Sequence, residues 1–558
     1  MDEQCRHLVA VLQLSLSPST DVQARVRQQL EICAEAPTFA HALASIFASR
    51  DLVPLASPGA MCEKVPPATA HAVRQTAGLL LKGAQLRPAF APVRRSTQHF
   101  LMSHVFRALR DPSARIRKTA AAIITAVLPT VGAANALAPV AELLGSNDEC
   151  AVSGALAALE LVCEDHAHML DRAFPDGSRP LDTLIPALLQ FMSHPQAPFR
   201  LSAVKAINHF IYHQPPILMS RVQDFVCGLS ALTQSADCVM RETICKSIVA
   251  LVDVRADAIV PYLDSIVLFM LHCMRGHMGD ETVALAACEF WPSLCELHGE
   301  HGVRKCLQPH LPSLISVLLS CMEYSEEELV CLGDARVNHE SVPDRREDMR
   351  PIFRRCQRGV PGECAGDKGG SARPSWNLRR SAASTLDALA MTLRPAVFLR
   401  HILPQLNGRL QNHDAWVVRE SGVLAMGAIA TGCTRAMEPH LPQLVPFLVK
   451  LLDDGQPLIR SITCWTIGRY SPWVCAQYRG CQAHRGFFRD ALFEVLERCL
   501  DEHKKVQEAA CSAFSVFVEF AATVRIYIYS VHPSTSNIVY TYKHCCYFDL
   551  TCLAPLFA

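Results

Sequence analysis

One phrase recurs along this chain and limits what it can fold into. A polar turn is followed by Val or Ile beside Arg, or a near relative, and then by a helix rich in small residues. It reads Asp-Pro-Ser-Ala-Arg-Ile-Arg at 111–117 and returns at Pro195–Arg200, Asp237–Arg241, Asp414–Arg419 and Asp453–Arg460. A weakened copy occupies Asp501–Gln507, with Lys504, Lys505 and Val506, while the slots around Val152 and Ala284 keep the helix without the Arg. Arg200 to Arg241 is 41 residues, and so is Arg419 to Arg460. A period of about 40 residues with two helices per unit is that of HEAT and armadillo arrays. One helix pair cannot bury its own apolar face, so successive pairs must stack.

The segments between the phrases suit that reading. Leu184–Ser193 carries apolar residues at helical spacing, Pro195 breaks it, and Phe199–Tyr212 follows as a second helix. The same pair is predicted at Pro442–Leu452 and Leu458–Tyr470. The Asp or Asn before each second helix is expected to cap it, and the recurrent Arg to pair with the Asp of an adjacent repeat. Half of the residues are apolar, led by Ala and Leu, and only 7% are aromatic; such a composition favours helix. At 558 residues the chain is too long for one compact core. The expected fold is all-α, a HEAT-repeat right-handed superhelical solenoid of about eleven repeats from near Gln4 to near Phe520.

Two stretches break the pattern. Ala284 to Arg379 spans 95 residues, where about 43 are expected. The surplus lies between Met322 and Trp376 and is rich in Gly and Pro, so a long loop is predicted inside repeat 8; such loops are functional or disordered. Between Tyr324 and Ser375 there are ten acidic and nine basic residues, with only Glu326, Glu327 and Glu328 clustered. The second is Ala521–Ala558, which holds five of the ten tyrosines, one acidic residue (Asp549) and no repeat phrase. A terminal repeat needs a polar cap, so this segment is expected to be an atypical tail, such as follows a broken gene model.

Several function classes are excluded. Lys plus Arg equals Asp plus Glu, 53 each, which gives no bulk charge for nucleic acid or membrane. Twenty-five cysteines are spread along the chain without a C-x-x-C, the pattern of reduced thiols packed as small hydrophobes in a cytosolic or nuclear protein. The acidic start, Met1-Asp2-Glu3-Gln4, has no apolar run after it, so no signal peptide is expected. Thr119–Val140 is uncharged for 22 residues, long enough for a bilayer. Pro129, Gly132, Asn135 and Pro139 interrupt it, and the prediction is the end of one buried helix, a turn and the start of the next. No phosphate-binding loop, nucleophile elbow, dinucleotide fingerprint or H-E-x-x-H occurs. Cys295, His298 and His301 read as turn residues, and His544, Cys545, Cys546 and Cys552 lack paired ligand spacing. No catalytic residue, metal or cofactor is expected.

At Trp376–Ala390 (WNLRRSAASTLDALA), Trp416–Ala430 (WVVRESGVLAMGAIA), Ile459–Tyr470 (IRSITCWTIGRY) and Val506–Phe514 (VQEAACSAF) the chain closely resembles transportins, the karyopherin-β2 branch of the importin-β superfamily. Looser likeness extends upstream: Val73–Lys82 to the importin-β N-terminal motif, and Leu161–Leu170, Glu281–Trp291 and Val342–Arg355 to the fourth repeat, seventh repeat and repeat-8 loop. The resemblance covers about residues 4–520. It implies a nuclear import receptor, not an enzyme, shuttling between cytoplasm and nucleus with Ran-GTP, nucleoporins and cargo bearing a basic Pro-Tyr signal as partners.

The implied organisation is repeats 1–8 at 4–322 as a Ran-binding arch, the repeat-8 loop at 323–375, repeats 8–11 at 376–520 opening a cargo-binding arch, and the tail at 521–558. By motif position, Ala383, Ser384, Leu424, Ile462 and Trp465 would line the pocket for the Pro-Tyr end. Arg469 and Glu519 would contact the signal's backbone and basic residue. Arg74, Lys82, Glu164 and Asp165 would meet Ran-GTP. The loop lacks the family's long acidic run, and the array is roughly half the family's length, so weaker binding of basic signals is expected. Two other readings are a HEAT scaffold, such as a phosphatase regulatory subunit, and a truncated decoy that binds Ran-GTP without delivering cargo.

Overall fold

The computed structural model describes residues 3–36, 38–52, 65–85, 95–173, 177, 179–297, 303–332, 376–479 and 485–523. Among the described residues every regular element is helical. The polypeptide divides into two compact units, Met1–Ile259 and Val260–Ala558, whereas the sequence suggested a division at the loop after residue 322.

In the first unit α1 (Glu3–Leu14) pairs with α2 (Thr20–Ala34), α3 (Phe39–Ala48) with α4 (Pro67–Gln85), α5 (Arg95–Ala108) with α6 (Ala114–Val131), and α7 (Ala133–Leu144) with α8 (Glu149–Leu170). Next come α9 (Pro180–Phe191) with α10 (Ala197–Ile211), then a short α11 (Pro216–Ser220) and the pair α12 (Val222–Leu232) and α13 (Cys238–Ile259). The second helices pack side by side as a row, α4 on α6, α6 on α8, α8 on α10 and α10 on α13.

The second unit repeats the plan. Here α14 (Leu263–Arg275) precedes α15 (Glu281–Cys288) and α16 (Phe290–Glu296), and α17 (Val303–Cys321) precedes α18 (Glu326–Leu332) and α19 (Leu378–Thr392). Three further pairs follow: α20 (Pro395–Leu410) with α21 (Trp416–Met437), α22 (Leu441–Leu451) with α23 (Pro457–Arg479), and α24 (Arg485–Arg498) with α25 (Lys504–Thr523). Again the second helices form a row, α19 on α21, α21 on α23 and α23 on α25. Eleven helix pairs are thus present among the described residues.

The recurring phrase explains both the turns and the stacking. Asp111, Asp148, Asp237, Asp454 and Asp501 each accept the backbone N–H two residues ahead, at 2.9–3.1 Å, and so fix the entry into the second helix. The Arg of the phrase folds back on its own turn: Arg117, Arg200, Arg419 and Arg460 donate to the carbonyls of Asp111, His194, Asn412 and Asp454. In two of the four the guanidinium also reaches an acid of the next repeat. Arg419 pairs with Asp454 at 3.1 Å, and Arg460 holds Asp501 through two bonds of 2.8 Å. Arg379 holds both oxygens of the buried Glu420; burial pushes that carboxyl up, to about 7, against the pull of Arg379. Arg117 meets Ser153 instead of an acid, so the ladder is interrupted there.

Close helix approach depends on small residues. A Cβ on Gly154 would overlap the backbone of Leu109, and one on Gly432 would overlap that of Ala390. Thr119–Val140 forms the end of α6, a turn at Gly132 (φ +86°) and the start of α7; only glycine takes that backbone angle without strain. Among the described residues no helix is long and apolar enough to cross a membrane.

The expected loop begins too early at 323. Tyr324 lies under the Arg379 guanidinium, 4.0 Å from the ring centre, and beside Trp416. Glu323 pairs with Arg409 at 2.6 Å, and Glu328 accepts from Asn377 at 2.6 Å. These contacts tie residues 323–328 to repeats 8 and 9, because three polar partners and an aromatic face are satisfied there. Residues 333–375, the tail beyond 523, and His298 and His301 lie outside the described residues. Burial pushes the Cys288 and Cys295 thiols up to about 11, which makes them poor nucleophiles.

Candidate functional site

The densest gathering of the implied cargo residues lies on α19, α21 and α23. On α23, Ile462, Trp465 and Arg469 fall at helical spacing on one face. All three are half-buried, in a helix whose neighbouring positions Thr463, Cys464, Thr466 and Ile467 are interior. Trp465 is therefore not a core tryptophan in the way that Trp291 is, which is fully buried with its indole N–H 3.0 Å from Met274 Sδ.

Trp465 rests on α21 at Gly427, where a Cβ would overlap the indole ring. The guanidinium of Arg469 sits 5.7 Å from the Trp465 ring centre, within cation–π range. Arg469 also spans three consecutive repeats: Nε donates to the Gly427 carbonyl on α21 at 3.2 Å, and a terminal nitrogen donates to Asp387 on α19 at 3.2 Å. Burial raises the Asp387 carboxyl above its ordinary value, with Arg469 opposing that rise. Two more α23 side chains anchor to α21 carbonyls, Thr466 to Val423 at 3.0 Å and Tyr470 to Met426 at 2.9 Å. The platform is thus held by side-chain bonds to a neighbouring helix.

Ala383 and Ser384 lie on α19 one turn before Asp387, half-buried and exposed respectively. Leu424, one turn before Gly427 on α21, retains only 8% exposure and offers an edge rather than a face. Glu519 is exposed on α25. Phe517, two residues before it, takes a contact from Cys475, ten residues past Trp465, or about 15 Å along α23. Sequence reasoning missed Asp387 and Gly427. Their signal was present, since each follows a chosen residue by one helical turn, but their partners lie 82 and 42 residues away in Arg469.

The four residues given for Ran contact differ in exposure. Arg74 is interior: it bonds the Phe47 carbonyl at 3.0 Å and Asp111 at 2.5 Å, and is the first rung of the Arg–acid ladder. Its guanidinium thus ties α4 to α3 and to the turn before α6. Lys82 is half-buried two turns further along α4. Glu164 and Asp165 are exposed on α8, beside a break at His166, whose ring donates to the Thr125 carbonyl at 3.0 Å. They face His209 on α10, whose imidazole burial lowers while Glu164, Glu160 and Asp165 oppose the shift. Among the described residues no group of acids, histidines and cysteines is arranged to hold a metal ion.

This arrangement of paired helices defines the class as a HEAT-repeat solenoid. A HEAT-like repeat model matches residues 416–470. In fold the chain is similar to importin β (TM-score 0.66, 16% identity, 92% of this chain and 56% of that one). It is also similar to Kap95p in a structure describing the switch loops of RanGDP (TM-score 0.61, 18% identity, 94% and 56%). In sequence it is 36% identical to Transportin-1 of Mus musculus over 94% of this chain and 56% of the relative. Importin subunit beta-2 of Schizosaccharomyces pombe is 33% identical over 84% and 54%. Over nearly its whole length the chain is thus similar in sequence to transportins, or importin β-2 proteins. It spans about half the length of the curated relatives it matches.

Proposed function

We propose that this chain is the receptor portion of a nuclear import carrier, binding Ran-GTP through its first repeats and a basic signal ending in Pro-Tyr on the α19–α21–α23 face. The observation that carries the cargo reading is the half-exposed Trp465, laid on Gly427 and flanked by Arg469 and Asp387. A rigid aromatic platform beside paired charges suits a proline–aromatic pair, which stacks on an indole and offers a hydroxyl and backbone groups to polar neighbours. The likeness to transportins supports Ran as a partner, as does the fold shared with Kap95p, whose binding induces the switch loops of RanGDP to adopt the GTP-bound conformation. Glu164 and Asp165 are the sequence candidates that remain on the surface for it, with Lys82 half-buried.

Calorimetry on the whole chain tests both halves. The reading expects tighter binding of Ran-GTP than of Ran-GDP, and binding of a basic Pro-Tyr peptide that is lost when the pair becomes Ala-Ala. A scaffold predicts no nucleotide preference. A decoy predicts the Ran preference without peptide binding.

A further inference from the structure

Glycines in the α19–α21–α23–α25 row serve different ends. At Gly432 the missing side chain makes room for the backbone of Ala390, so that glycine lets two helices approach. At Gly468 a Cβ would meet only Ala513, at an ordinary 3.4 Å. Gly427 differs from both. The space its side chain would fill is taken by side chains of α23: the Trp465 ring, with Cε3 2.8 Å from the Cβ position, and Thr466 Oγ1, also at 2.8 Å. Its carbonyl, meanwhile, receives Arg469 Nε. One residue therefore supplies the floor for the indole and the acceptor for the guanidinium that covers it.

We infer that Gly427 is a positioning residue of the peptide-binding face: by lacking a side chain it lets Trp465 seat against α21, which sets how far the indole stands out toward a proline–aromatic pair. The recognition half of this statement rests on the cargo reading above; the positioning half rests on the packing alone. A methyl group at 427 overlaps ring carbons that cannot yield except by swinging the indole outward. That swing would also separate Trp465 from Arg469, whose bonds to Gly427 and Asp387 fix its place.

The test is Gly427→Ala in the full chain, read in two ways. First, acrylamide quenching of the Trp465 component, isolated by subtracting the matching Trp465→Phe variant, should rise at least twofold without any ligand. An unchanged value overturns the inference. Second, affinity for a synthetic basic peptide ending in Pro-Tyr should fall at least tenfold, approaching the loss from Trp465→Ala; a fall below twofold overturns the recognition half. If the parent chain does not bind the peptide while quenching still rises, the cargo reading fails and the positioning of Trp465 stands. Should Gly427→Ala unfold the chain, it is placed on a background carrying Trp465→Ala and Thr466→Ala, which clears both overlaps, and most of its cost should vanish. Persistence of the full cost there would show that Gly427 serves helix packing, and the inference falls.

Discussion

The Arg–acid ladder makes the sharpest prediction about stability, and its best rung is Arg460–Asp501. Two bonds of 2.8 Å join them, and the side chains retain 14% and 3% of their exposure. Two unit charges about 4 Å apart attract by about 4 kcal/mol at an effective dielectric constant near 20. Replacing Arg460 by Met keeps the apolar stem but leaves Asp501 buried with the His503 N–H and Arg498, 3.8 Å away, as partners. Breaking a buried pair on one side typically costs about 3–5 kcal/mol; the residual partners place this case near the lower end, about 3 kcal/mol. Because a repeat array opens locally, hydrogen exchange of α23 and α25 is the proper assay. Their amides should exchange about 100-fold faster, while those of α4 and α6 stay unchanged.

The pH dependence of this rung has a definite sign. Burial alone would raise the Asp501 carboxyl, but Arg460, the His503 N–H and Arg498 outweigh it and hold the group below its ordinary value. A depressed carboxyl contributes stability that is complete above the unfolded value, about 3.9, and is lost as pH falls through the folded one. The Arg460→Met effect should therefore be full at pH 7 and shrink below about pH 4. A cost under about 1 kcal/mol at pH 7, the range of solvated surface pairs, would refute the ladder as a stabilising device.

Two further expectations follow from packing. Gly154→Ala should destabilise the first unit by at least about 1–3 kcal/mol in urea unfolding, because the new methyl meets the Leu109 backbone rather than a movable side chain; a neutral result would mean that α8 can shift freely. Native-state alkylation with iodoacetamide, followed by peptide mass mapping, should modify the exposed Cys227 and Cys238 first and leave Cys288 and Cys295 unmodified until unfolding; early labelling of Cys288 would contradict its burial.

Much of the architecture was legible because a repeat writes the same physical solution many times. The polar turn, the Arg and the small-residue helix appear at 111–117, 414–419 and 453–460, and the same capping and stapling bonds are found there. The site was less legible, because it is made between repeats. Arg74 looked like a helix-surface charge; nothing in its own segment shows that Asp111, 37 residues on, takes it inside. Leu424 was chosen for its motif position, yet α21 is buried on nearly every side there. Trp465 is half-buried against Gly427 of another repeat, and no local pattern encodes that pairing. The short helix α18 was missed because it opens a stretch rich in Gly and Pro.

Replacement of Trp465 by alanine tests the central claim most directly. Peptide affinity and the urea midpoint are measured on the same variant, with a basic Pro-Tyr peptide as ligand. Trp465 is half-buried on a neighbouring helix and absent from the fully buried core that holds Trp291. Loss of a hot-spot tryptophan costs about 2 kcal/mol or more in binding, on the order of 30-fold in affinity, whereas loss of a core tryptophan costs about 3–5 kcal/mol of stability. The account predicts an affinity loss of about 30-fold with a nearly unchanged midpoint. A collapsed midpoint, or an intact midpoint with unchanged affinity, would contradict it.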